Sequence, residues 1–242
     1  MSYLNRTSLE LRENKPEIAL LPLGSFENHG PHLPIDTDNI QVETAAEGVA
    51  GELNAFLLPV QPITACYEHH GKRGSIHYSY NIFFKILTGI VEKLYSQGFR
   101  KVVVLVGHGG IFIIDPAIRH LNYKYKDLYV VKSEYYHQFD SNNMDHAGEC
   151  ETSRMLYHRT DLVHMDKAVD YIPDKPRFYL TYGSIFTHSP DGVWGNATAA
   201  TAEKGKILYE KTVEGMLKEI KEAFSLMENT DYKGNPVAEE GI

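Results

Sequence analysis

The stretch GSFENHGPHLPIDTD, residues 24–38, gathers Glu27, His29, His32, Asp36 and Asp38, a mixture of imidazole and carboxylate donors that suits a borderline divalent cation. Glu27 and His29 stand two apart. In an extended segment both side chains then leave on the same side and address one centre, whereas on a helix they would diverge. Gly30, Pro31 and Pro34 forbid a regular helix here and turn the chain so that Asp38 returns toward the pair. The plainer alternative is a solvated loop in which Asp38 only caps the helix that follows.

Two further segments carry the same residue types. The apolar run KVVVLV passes into GHGG, which leaves His108 just past the end of a strand with glycines around it. A phosphate-binding P-loop would need Lys and then Ser or Thr after those glycines, and Ile111 and Phe112 stand there instead. In HAGECETS, residues 146–153, the spacing predicts a helix on which His146 and Glu149 share a face. Glu151 then faces elsewhere and reads as a carboxylate that orients a ligand histidine. Taken singly, His108 also reads as a hydrogen-bonded structural residue, and an acidic residue at 149 as a response to the helix dipole.

Bringing these residues together needs a scaffold. Short apolar runs alternate with stretches of helical period, the pattern of an α/β fold with a mostly parallel sheet. Strands are expected at 18–23, 56–60, 101–106 and 128–132, and helices at 40–53, 81–96, about 146–158 and about 199–224. The connections 24–38, 61–80, 133–146 and 181–198 hold eight of the twelve histidines. Such connections gather at the carboxyl ends of parallel strands, where ligands bind. The 242 residues, 43% apolar, form one domain spanning 1–242, with the polar stretch 229–242 a surface extension or an arm to a neighbouring subunit.

Composition narrows the partners. With 24 Lys and Arg against 32 Asp and Glu, a net charge of −8, the chain lacks the basic surface that nucleic-acid phosphates require. No apolar run approaches the roughly 20 residues that span a bilayer. The opening MSYLNRTSLELRENK is charged where a signal peptide would be apolar, and Cys66 and Cys150 are too few for a disulfide framework. The expected compartment is the cytoplasm, and the expected partner a small molecule.

Three ordered motifs resemble those of the creatininase family of metal-dependent amidohydrolases, GSxEQHGPHLPLxTD, NGHGGN and HAGExETS. This chain reads GSFENHGPHLPIDTD, VGHGGI and HAGECETS, and SPDGVWGNATAATAEKG at 189–205 is similar to the family's glycine-rich segment. The resemblance implies a three-layer α/β/α fold, creatininase-like, with two divalent metal ions per chain (zinc, manganese or iron) and a symmetric homo-oligomer, often a hexamer. It makes Glu27 and His108 ligands of one metal, His29 a ligand of the other, Asp38 the bridging carboxylate and His146 the catalytic histidine. Creatininase proper has a Glu two residues after the GH histidine, where this chain has Gly110; Glu149 is then expected to supply that oxygen, with Glu151 the alternative. A Trp that stacks on creatinine in creatininase proper is Asn142 here. Other departures are Asn28, Val106, Ile111 and the RGS at 73–75.

Paired cations would lower the pKa of a shared water from about 16 toward 7, making a bridging hydroxide that attacks an amide carbonyl while His146 hands a proton to the departing nitrogen. Tyr67, His69, His70, Tyr135, Tyr136, His137 and Trp194, on the same long loops, are candidate walls of the substrate pocket. The expected activity is hydrolysis of a non-peptide C–N bond in a small cyclic amide or lactam. A second reading is deformylation of a heterocyclic formamide, as in flavin and deazaflavin pathway members whose GSFLENHG is similar to GSFENHG here. A third is a metal-binding structural or regulatory oligomer.

Overall fold

The structure, a computed structural model, describes residues 7–135 and 145–229. A short helix, α1 (Ser8–Asn14), opens on a Thr7–Glu10 capping box and leads into β1 (Ile18–Leu23). There follow α2 (Thr37–Leu53), β2 (Phe56–Leu57), α3 (Tyr80–Ser96), β3 (Lys101–Val106), α4 (Ile114–Lys124) and β4 (Tyr129–Glu134). Next come α5 (Glu149–Arg159), the two-residue strands β5 (Asp170–Tyr171) and β6 (Gly195–Asn196), and the long α6 (Ala202–Asn229).

The strands β2, β1, β3 and β4 lie side by side in that order, all parallel. Alternation along each strand sends side chains to opposite faces. Ala19, Leu21, Leu23, Val102, Val104 and Val106 meet Phe83, Leu87 and Val91 of α3 and Ala117 and Leu121 of α4 on one face. Leu20, Val103, Leu105 and Val131 meet Val42, Ala46 and Val49 of α2 and Met216, Ile220 and Phe224 of α6 on the other. The fold is therefore three-layer α/β/α, and each fully buried Leu in it contributes roughly 1.5–3 kcal/mol. The strands are apolar on both faces because both are covered, which is why they read as continuous Val and Leu runs in the sequence. Among the described residues no helix is long and apolar enough to cross a membrane.

Strand order places a switch point between β1 and β3. From β1 the chain leaves outward through α2 to β2, then returns on the other side to β3, so the connections after β1 and β3 diverge and open a crevice at the strands' carboxyl ends. The loops bearing Glu27, His29 and His108 flank that crevice.

The expected strands at 18–23 and 101–106 coincide with β1 and β3, while β2 is shorter than expected and β4 begins one residue later. Helices α1 and α4 had no counterpart among the expected elements. The helix expected from His146 starts at Glu149 instead. His146 pairs with Trp194 as an antiparallel bridge, Ala147 is left-handed at φ 51° and Gly148 is extended, so none of the three has helical backbone. Helix α6 likewise starts at Ala202, after the 3-10 turn Ala197–Ala199.

Candidate metal centre

Beyond β1 the chain stays irregular, as its prolines and Gly30 dictate, and Glu27 and His29 both turn into the crevice, fully buried. Nδ1 of His29 lies 3.2 Å from the Glu27 carbonyl oxygen, which leaves Nε2 to face the centre. Asp38 enters from the first turn of α2, where the helix dipole favours a carboxylate. One of its oxygens goes each way: Oδ1 is 3.2 Å from His29 Nε2, and Oδ2 is 3.3 Å from His108 Nδ1. His108 comes from the end of β3, its Nδ1 also 3.2 Å from Glu27 Oε1.

The third wall is the start of α5. His146 places Nε2 2.9 Å from the Asn28 carbonyl oxygen, so the proton on that nitrogen donates there and Nδ1 faces inward, 3.8 Å from Glu27 Oε1 and 4.0 Å from Glu151 Oε2. Glu151 Oε2 accepts from the Ala147 amide at 2.6 Å and stands 3.5 Å from His29 Nε2. The same carboxylate thus closes the left-handed turn at Ala147 and reaches the centre.

Buried imidazoles and carboxylates at this spacing shift one another. Burial penalises the charge on His29, but Asp38, Glu151 and Glu27 outweigh it and carry its pKa to about 10. His108 is likewise held well above its usual value: burial opposes its charge, and Glu27 and Glu68 overcome it. Burial also works against the Asp38 carboxylate, yet His29 and His108 hold its pKa far below the usual range. Burial raises Glu27, and His108 opposes the rise. His146 goes the other way. Burial, His29 and Arg177 push its pKa well below that of a free imidazole, so it is neutral near pH 7.

The donor set fits a divalent cation. Glu27 Oε1, His29 Nε2 and Asp38 Oδ2 are buried and have no hydrogen-bond partner. Ligand atoms of Glu27, His29 and Asp38 lie within 4.8 Å of one another, as do those of His29, His146 and Glu151, and of Glu27, His69 and His146. Buried polar atoms without partners are costly, and cations between them would remove that cost.

Not every expected residue is here. Glu149 is turned away: its Oε1 pairs with Lys204 Nζ of α6 at 2.5 Å. Glu149 was expected as a ligand in place of the Glu missing at Gly110, in agreement with a shared helical face with His146, and His146 is not helical. Glu151, expected to stand behind a ligand, is the glutamate that reaches the cluster. His69, expected as a pocket wall, is buried with Nε2 3.1 Å from Glu27 Oε1 and its ring 4.4 Å from that of His146. Tyr67 packs on His77 and Tyr80, and His70 is exposed, so neither lies at the centre. Trp194 acts through its backbone, pairing with His146. Tyr136, His137 and Asn142 lie outside the described residues.

A cavity opens over Asp38, His108, His146 and Glu151, walled further by Gln41, Tyr135, Asp145, Arg154 and Arg177. Burial and Glu151 raise the Asp145 pKa to about 7, and Arg177 donates to the Asp145 carbonyl at 2.8 Å. The arginines and Glu68, whose Oε1 is 2.9 Å from His108 Nε2, were not found by reading the sequence. For Glu68 the available signal was its place in CYEHH beside two histidines; for Arg177 there was none.

Fold and centre together describe an α/β/α protein whose crevice carries a donor set suited to a divalent cation. Residues 2–220 match the profile of the creatininase family, described as creatinine amidohydrolase, and the chain belongs to that family. It is similar to 3-dehydro-scyllo-inosose hydrolase of Thermotoga maritima (28% identity, covering 92% of this chain and 84% of the relative). Creatinine amidohydrolase of Pseudomonas putida is 28% identical over 86% of this chain and 90% of its own. A 2-amino-5-formylamino-6-ribosylaminopyrimidin-4(3H)-one 5'-monophosphate deformylase of Methanococcus maripaludis is 31% identical, over 84% and 80%. Among solved structures, a putative creatinine amidohydrolase from Bacteroides fragilis superimposes with TM-score 0.77 at 28% identity, covering 90% of this chain and 94% of that one. A manganese form of creatininase does so with TM-score 0.77 at 25% identity, covering 91% and 97%. The chain is accordingly a hydrolase of C–N bonds with a divalent metal cofactor.

Proposed function

We propose that the chain hydrolyses a non-peptide amide bond in a small cyclic amide or lactam, using a pair of cations. Glu27 Oε1, His108 Nδ1 and Asp38 Oδ2 would hold one, and His29 Nε2, Asp38 Oδ1 and Glu151 Oε2 the other. The observation that carries this reading is the divided Asp38 carboxylate, one oxygen toward each histidine. Bound there, divalent cations supply Lewis acidity, polarising the carbonyl and making water acidic enough to react near neutral pH.

The chain's own residues do the rest. Neutral His146, its Nε2 proton committed to the Asn28 carbonyl, presents a free pair at Nδ1 to the centre. It takes the proton of the attacking water as the C–O bond forms, then returns it to the nitrogen as the C–N bond breaks. Its role therefore begins as base and ends as acid, where the sequence had suggested only the second half. Backbone pairing to Trp194 and the left-handed Ala147 fix the ring's position. A histidine so placed also supports catalysis over a purely structural centre.

A second reading, removal of a formyl group from a heterocyclic formamide, is supported by the deformylase relative at 31% identity. The test is a screen of metal-loaded protein against creatinine, other lactams and formamides, run in parallel with His146→Ala. Turnover of a cyclic amide, lost by roughly 100-fold or more in the variant while metal content is unchanged, is expected. Turnover of formamides alone selects the second reading, and undiminished turnover in the variant removes His146 as the proton carrier.

A further inference from the structure

Resting on the paired-cation reading, we propose that the 3-10 turn Tyr67–His69 positions the centre: Glu68 holds His108 in the tautomer that offers Nδ1 to a cation, and His69 steadies Glu27. The turn is short and tied to itself, the His69 amide donating to the Cys66 carbonyl at 3.0 Å and the His70 amide to that of Tyr67 at 3.2 Å. Its two consecutive ionisable side chains reach different members of the cluster. Glu68 Oε1 stands 2.9 Å from His108 Nε2, and His69 Nε2 stands 3.1 Å from Glu27 Oε1. An acid thus meets the imidazole, and an imidazole meets the acid.

The chemistry requires such a partner for His108. A neutral imidazole binds a cation through Nδ1 only while its proton sits on Nε2, and a buried N–H needs an acceptor. Nε2 of His108 is buried and makes no aligned hydrogen bond, with the Glu68 carboxylate oxygen beside it. Carboxylates behind metal-binding histidines fix tautomer and ring orientation and raise ligand basicity. At Glu27, Ser25 Oγ donates to Oε2 at 2.6 Å, and His69 Nε2 stands 3.1 Å from Oε1.

Gly110 explains how Glu68 gets in. A Cβ at residue 110 would overlap Glu68 Oε1 and crowd His108 Nε2, so the space that any other residue's side chain would enter is taken by the Glu68 carboxylate. The last glycine of GHGG is thereby given a purpose in this chain, clearance for a carboxylate arriving from another loop.

The test is zinc competition titration of metal-stripped parent, Glu68→Leu and Glu68→Gln, with long-range proton–nitrogen spectra of the histidine rings in the zinc-loaded parent. We expect Glu68→Leu to weaken one of two sites by roughly 10- to 100-fold. Glu68→Gln, which keeps an acceptor for Nε2–H, should fall between it and the parent. The parent spectrum should show His108 protonated at Nε2. Two sites of parental affinity in Glu68→Leu, or His108 protonated at Nδ1, would overturn the proposal; the spectrum decides even if the leucine variant does not fold. A parent that binds no zinc would overturn the paired-cation reading itself, and this one with it.

Discussion

At the scale of residues, the difference between Glu149 and Glu151 decides which carboxylate serves the centre. Lys204 occupies Glu149, while Glu151 spans the Ala147 amide and the approach to His29. Glu151→Gln is expected to lower metal occupancy at one site, and Glu149→Gln to leave occupancy as it was; elemental analysis of dialysed proteins would distinguish them, and the reverse pattern would refute the placement. His29 gives the centre a pH signature. In metal-stripped protein its pKa is raised from 6.5 to about 10, so the folded state holds that proton more tightly than the unfolded chain does. The stabilisation is complete below about pH 6.5 and is lost as pH rises through about 10. Denaturant midpoints of the stripped protein should fall across that window. Metal displaces the proton, so the loaded protein should lack this decline.

Local signals made part of the centre legible. Glu27, His29 and Asp38 could be read because they lie on one segment whose prolines and glycine exclude a helix. His108 could be read because it follows a recognisable strand. A shared helical face for His146 and Glu149 was expected because the sequence does not announce that Ala147 takes a left-handed backbone and so delays the helix. Glu68 could not be placed, and His69 was read only as a pocket wall, since their partners lie far along the chain and their meeting depends on the tertiary fold.

At the scale of elements, α5 is held against α6 by a close approach of backbone. A Cβ at Gly205 would overlap the Ser153 carbonyl, a backbone atom that cannot swing aside. Ser153 lies two residues past Glu151, and its hydroxyl accepts from the Thr201 amide at 3.2 Å. Gly205→Ala should therefore cost on the order of 1–3 kcal/mol, measured by denaturant unfolding. It should also weaken cation binding by shifting Glu151; an alanine variant as stable as the parent would show that α5 and α6 have room to separate. The strands were readable at β1 and β3 because both are central and buried on both faces.

For the whole molecule, strand order is what turns scattered residues into a centre. With β1 and β3 adjacent and their outgoing connections diverging, Glu27 and His29 face His108 across the crevice, while α2 and α5 bring Asp38 and Glu151 to its other sides. Alternating strand and helix patterns indicate the α/β class, but the order β2-β1-β3-β4 emerges only from the structure, since parallel strands do not reveal their neighbours in sequence. Two divalent cations sharing Asp38 in this crevice are what we propose. The most direct test is quantitative metal titration of the stripped chain and of Asp38→Ala. Two equivalents are expected in the parent and none in the variant after dialysis; a parent that binds no metal, or a variant that keeps both ions, would rule out a shared Asp38.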